Sequence, residues 1–124
     1  MNLGQIVLYS KNKIILSRYL SYLLELEQEL VDDAIRLNGE DIRFLVRNYD
    51  AKEIITSNGT LLEYFVDSKE MLEQLVQKVF FLNYRIGECV NESISIIEQV
   101  GNSYFFYIDD PDGRKWKFTY INPV

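Results

Sequence analysis

The sequence predicts an α+β fold: two main helices packed on an antiparallel sheet that includes a C-terminal three-stranded meander. Three observations predict it. A long segment from Lys13 to Leu37 repeats apolar residues at spacings of three and four, a second such segment runs from Ser68 to Arg85, and three strand-like runs between residues 93 and 121 are divided by turn-forming residues. The 124 residues, 48% of them apolar, are enough for one hydrophobic core and too few for two. Residues 1–124 are therefore read as a single domain, without internal repeat or linker.

The first element is expected to be a helix over Lys13 to Leu37, about 37 Å long at 1.5 Å per residue. Leu16, Tyr19, Leu20, Leu23, Leu24, Leu26, Leu30, Val31, Ala34 and Leu37 form its apolar arc, and Asn38-Gly39 supplies a stop. A heptad alternative through Leu16, Tyr19, Leu23, Leu26, Leu30, Asp33 and Leu37 would make the helix a homodimer seam, but it spans under four heptads and has a charged slot, which favours core. Glu27 falls inside the arc and is expected to be buried, as a structural ion pair or a tuned acid. On the polar side, Glu25, Glu29, Asp32 and Asp33 share one face. Glu25 with Glu29 and Glu29 with Asp33 are like-charge pairs at i,i+4, which destabilise a helix unless something compensates. That compensation is either Arg36, Arg43 or Arg47 within the chain, or a basic partner surface.

From residue 39 to 66 the pattern is shorter. Asp41 to Asn48 reads as strand or short helix, while Glu53 to Thr56 and Leu61 to Phe65 flank Ser57-Asn58-Gly59-Thr60, a hairpin signal because both turn residues tolerate positive φ. The second helix, Ser68 to Arg85, starts with Asp67 and Glu70 at capping-box spacing. Its stripe is Leu72, Leu75, Val76, Val79, Phe80 and Ile86. Phe81 lies on the opposite face, either covered by another element or exposed as an anchor. Ser93 to Val100, Ser103 to Ile108 and Lys115 to Ile121 are the meander. Tyr104 to Tyr107 is aromatic on both faces and so central, and Trp116, Phe118 and Tyr120 alternate with Lys115, Lys117 and Thr119, leaving one wet face.

The connection Asp109-Asp110-Pro111-Asp112-Gly113 has the residues of a type I turn. As a calcium loop with Gly113 sixth it would put Ile108 first and Thr119 twelfth, where carboxylates are required. The string Asp110-Pro111-Asp112-Gly113 before an aromatic strand resembles a hairpin common in the vicinal-oxygen-chelate (glyoxalase-like) family. That resemblance implies a metal-binding Glu where this chain has Lys117, and His elsewhere. Because it is confined to this one hairpin, the functional expectation is built on the remaining residues.

Composition removes several chemistries. No His is present, which excludes Ser-His-Asp and Cys-His hydrolysis, His-ligated zinc and His general bases. The single Cys89 fits a reducing compartment and reads as a structural thiol. The six Gly are scattered, so no phosphate loop is formed. Net charge of −6 and dispersed Lys and Arg argue against nucleic acid, and no segment suits a membrane or a leader, which points to the cytoplasm. The resulting expectation is a small, non-enzymatic protein-binding domain of inhibitor or immunity type, without cofactor or metal, as among phage-encoded inhibitors. Its partner would be a protein with a basic surface, such as a toxin or nuclease, met through Glu25, Glu29, Asp32, Asp33, Phe81, Asp109, Asp110, Asp112 and Trp116. A structural or adaptor subunit, homodimeric through the long helix, and a small-ligand-binding domain are the alternatives.

Overall fold

The computed structural model describes residues 1–49, 60–85 and 96–123. The chain divides into two compact units, Met1–Thr56 and Ser57–Val124. The first contains β1 (Ile6–Ser10), α1 (Lys13–Leu24), β2 (Glu27–Val31), β3 (Ala34–Asn38) and β4 (Arg43–Asn48). The second contains β5 (Leu62–Phe65), α2 (Lys69–Arg85), β6 (Glu98–Val100), β7 (Ser103–Asp109) and β8 (Lys115–Ile121). Each unit forms a four-stranded mixed sheet, in the orders β1-β4-β3-β2 and β5-β8-β7-β6. In each, the first strand runs parallel to the last and the remaining pairs are antiparallel. A parallel pair needs a long connection, which the helix and the two intervening strands supply. The α+β class and the C-terminal meander are as expected. A β-α-β-β-β order that occurs twice is not visible in the sequence, because helix-facing positions need only be apolar, not alike.

The first helix is half the length its periodicity suggests. Asn12 caps it in an extended conformation, its side chain accepting from the Ile14 and Ile15 N–H groups. It stops at Leu24 because Glu25 turns left-handed at φ 54°, and the Glu25 and Leu26 N–H groups return to the Ser21 carbonyl. Residues 27–38 then form a hairpin around Asp32-Asp33, with Asp32 at φ 52°. Leu30, placed in the helical core by its spacing, is 84% exposed on an edge strand. Glu27 is exposed on the same strand and is no buried acid. The dimer seam disappears with the helix. Gly39 serves the turn from β3 to β4: a Cβ there would come within 2.8 Å of Leu26 Cδ2 and 3.1 Å of the Ile42 carbonyl oxygen.

Alternation along the strands puts Leu8, Ile35, Leu37, Phe44 and Val46 on one face of the first sheet, buried with Leu16, Tyr19, Leu20 and Leu23 of α1. The second sheet repeats the arrangement with Phe106, Ile108, Trp116 and Phe118 beneath Leu72, Leu75, Val79 and Leu82 of α2. Ser68, not Asp67, caps α2, its Oγ accepting from the Met71 N–H at 3.1 Å. Leu82 takes the buried place expected for Phe80, which is exposed. The hairpin expected around Asn58-Gly59, and Ile86 and Cys89, lie outside the described residues.

Candidate functional site

The residues expected to meet a basic partner do not share a surface of the expected kind. Glu25 ends a helix, Glu29 lies in β2, and Asp32 and Asp33 make a turn, so the acidic helical face does not exist. Two of its charges meet arginines within the unit: the Arg36 guanidinium meets Glu29 Oε1 at 3.0 Å and Arg47 lies 3.6 Å from Asp33. The hydrogen bond from Arg36, then that from Asn38, holds the Glu29 carboxyl below the usual range.

In the second unit, Trp116 is fully buried and offers no surface. Asp110, 0% exposed, is the hub of its turn. Its carboxylate accepts from the Asp112 and Arg114 N–H groups, from the Arg114 guanidinium at 2.7 Å and from Trp116 Nε1 at 3.0 Å. The Gly113 N–H closes the turn on the Asp110 carbonyl at 2.8 Å. Asp109 pairs with Lys115 at 3.3 Å. Phe81 is 47% exposed, with the Arg85 guanidinium 5.8 Å from its ring.

A different group of residues is brought together on the face of the second sheet that α2 leaves free. Because Trp116 and Phe118 point to the helix, Lys117 and Thr119 point away from it. The parallel pairing of β5 with β8 sets Glu63 beside Lys117, and antiparallel pairing sets Tyr107 opposite Lys117 and Phe105 opposite Thr119. Thr119 Oγ1 donates to Glu63 Oε2 at 2.7 Å. Lys117 Nζ lies 3.5 Å from that same oxygen, 4.6 Å from the centre of the Phe105 ring and 5.6 Å from that of Tyr107. The two rings meet edge to face at 5.9 Å.

The first unit provides an internal comparison. By strand register, Val7 beside Leu45 occupies in the first sheet the place of Glu63 beside Lys117, and Arg36 opposite Leu45 that of Tyr107. At helix-facing positions both units are apolar, Phe44 and Val46 matching Trp116 and Phe118. On the helix-free face they diverge. A fold of this kind therefore does not need a charged pair at the centre of the sheet, and the second unit has one.

No protein-family model and no curated protein matches the chain. Solved structures match it along nearly its whole length. A glyoxalase/bleomycin resistance protein/dioxygenase family enzyme from Burkholderia phytofirmans is 11% identical, with a TM-score of 0.77 over 95% of this chain and 97% of that one. The fold is that of the glyoxalase/bleomycin resistance proteins. The fosfomycin resistance protein FosX from Mesorhizobium loti shares it at 9% identity and a TM-score of 0.75, over 98% of this chain and 92% of that one. Lactoylglutathione lyase from Agrobacterium tumefaciens shares it at 15% identity and 0.67, over 96% and 92%. These likenesses overturn the expectation of a non-enzymatic inhibitor or immunity protein, since the structures that share the arrangement are those of enzymes and antibiotic-resistance proteins.

The hairpin resemblance to the glyoxalase-like family implies a metal-binding Glu at position 117. The residues present do not fit a metal there: the position carries an ammonium, which repels a cation and lies 3.5 Å from the Glu63 carboxylate. Among the described residues no group of three or more Cys, Asp or Glu side chains is placed to hold an ion. Among them, also, no helix is long and apolar enough to cross a membrane.

The alternation of the last strand was legible, but the face expected to be wet is not: Thr119 is 4% exposed and the Lys117 side chain 23%, and in the sequence Lys117 stood out only as a missing ligand. Glu63 was hidden in the run Leu61 to Phe65, whose parallel partner is far along the chain.

Proposed function

We propose that this chain binds and acts on a small organic molecule at the helix-free face of its second sheet. The observation that carries the reading is the Glu63, Lys117 and Thr119 cluster set against Phe105 and Tyr107. A few polar groups converging beside aromatic rings is the make-up of small-molecule sites, and strands hold such groups more rigidly than loops do. The names of the fold neighbours support the class of ligand, since lactoylglutathione, fosfomycin and bleomycin are all small molecules. In this reading Glu63 is the proton acceptor, oriented by the Thr119 hydroxyl, and the rings supply a flat apolar wall. A single cysteine in the chain suits the cytoplasm.

The test is a calorimetric screen of small organic acids, aldehydes and thiol conjugates against wild type, Phe105→Ala and Glu63→Gln. A true ligand binds the wild type, weakens in Phe105→Ala, and is retained but no longer converted in Glu63→Gln. Ligands indifferent to both changes would place the site elsewhere.

A further inference from the structure

Resting on that reading, we infer that Lys117 is the built-in cation of this site and that the ligand presents an oxyanion, a carboxylate, phosphate or phosphonate, to its ammonium without a metal ion. Four observations lead there. The Lys117 side chain is 23% exposed, so its ammonium is partly withdrawn from water beside the aromatic rings, where an anionic acceptor for its N–H groups counts for more than at an open surface. Its polar neighbour among the described residues is Glu63, at 3.5 Å, beyond the usual 2.7–2.9 Å of a charge-assisted hydrogen bond. The Glu63 oxygen it approaches also accepts from Thr119 Oγ1, at the shorter distance of 2.7 Å. Phe105 and Tyr107 stabilise the positive charge through their ring faces but accept none of the three N–H groups as an oxygen would.

The ammonium is thus held in place by charge and rings, with its nearest carboxylate oxygen among the described residues at 3.5 Å. An anionic oxygen of a ligand would accept from it at closer range. The same ammonium stands where the glyoxalase-like resemblance implies a metal ligand, so positive charge at this place is supplied by a side chain rather than by an ion that needs several carboxylates or His. A flat group attached to the oxyanion would lie against Phe105 and Tyr107.

The probes are phenylphosphonate, phenylacetate and the neutral benzyl alcohol, titrated by calorimetry into wild type, Lys117→Met, Lys117→Arg and, as a control on the same strand and face, Lys115→Met. The two anions are expected to bind the wild type and Lys115→Met equally, with and without EDTA. Lys117→Met should weaken both by roughly tenfold or more, and Lys117→Arg should restore part of the loss. Benzyl alcohol should be insensitive to all the lysine changes. Anion binding that is absent from the wild type, that survives Lys117→Met, or that requires a divalent metal overturns the inference. If the anions remain bound in Lys117→Met but are lost in Phe105→Ala, the cation assignment alone fails and the helix-free face stands as the site. Indifference to both substitutions removes the two together.

Discussion

Two residues of the second unit show how differently a buried polar group behaves with and without partners. Asp110 is fully buried and its carboxylate takes donors from Asp112, Arg114 and Trp116. Asp110→Ala leaves the Arg114 charge and the Trp116 N–H without their acceptor, and should lower stability by about 3–5 kcal/mol in urea denaturation, with Asp110→Asn costing less. Tyr64 is the contrary case. Its ring packs 6.3 Å from Trp116 and 6.0 Å from Phe118, and its hydroxyl is buried without a hydrogen-bond partner among the described residues. Tyr64→Phe should therefore be neutral, or stabilising by about 1 kcal/mol. Burial pushes the Tyr64 hydroxyl from 10.0 to about 12. A raised acid contributes its stability below the unfolded value and loses it as pH climbs toward the folded one. The wild type should lose stability between those two values, and Tyr64→Phe should flatten that alkaline limb in a melting-temperature series.

At the scale of elements, the decisive event is the end of α1. Glu25 adopts a left-handed conformation that Gly takes without penalty, so Glu25→Gly should raise stability by about 0.5–1 kcal/mol in thermal melts. Glu27→Ala and Glu27→Leu, on an exposed edge strand, should both stay within about 0.5 kcal/mol of wild type. Glu29, opposite Arg36, has a lowered pKa, so its contribution is present above the ordinary value of 4.5 and is lost as pH falls through the lowered one. Glu29→Gln should lower the melting temperature slightly at neutral pH, where that contribution is present, and match wild type in acid, so that part of the acid-side loss disappears. The same hairpin explains what was illegible. Leu23, Leu26, Leu30, Ala34 and Leu37 keep helical spacing across a helix end, an exposed edge and a strand, and no Gly or Pro marks the breaks. A positive φ at Glu25 has no sequence signature, and the Asp32-Asp33 pair that makes the turn fell, by the same periodicity, on the polar face of the expected helix. The C-terminal meander was legible because its pairings are local and its turns carry Gly101-Asn102 and Pro111 to Gly113.

At the scale of the whole molecule, the two units act as controls for each other. Copying the Val7 and Leu45 pair into the second sheet as Glu63→Val with Lys117→Leu should leave stability unchanged or raise it by about 1–4 kcal/mol, since a partly buried ion pair gives way to apolar packing that the same scaffold accepts elsewhere. Ligand binding should be lost in the same variant, and calorimetry beside urea denaturation reads both. The candidate site was hidden in the sequence because Glu63 and Lys117 meet only through a parallel pairing between distant strands. The strand orders also govern how the chain acquires its shape in time. In both sheets the last strand to leave the ribosome is an interior one, β4 between β1 and β3 and β8 between β5 and β7. Until it arrives, β1 or β5 has no strand neighbour among the described residues, and the two strands already made form only a hairpin. Pairings such as Ile6 with Phe44 and Leu62 with Trp116 must wait for nearly the whole unit, which places folding in the slow, topology-limited regime. A nascent chain stalled before Lys115 therefore exposes an unpaired β5 edge to any other extended chain nearby, and the vulnerable interval of its synthesis ends with β8 rather than with either helix.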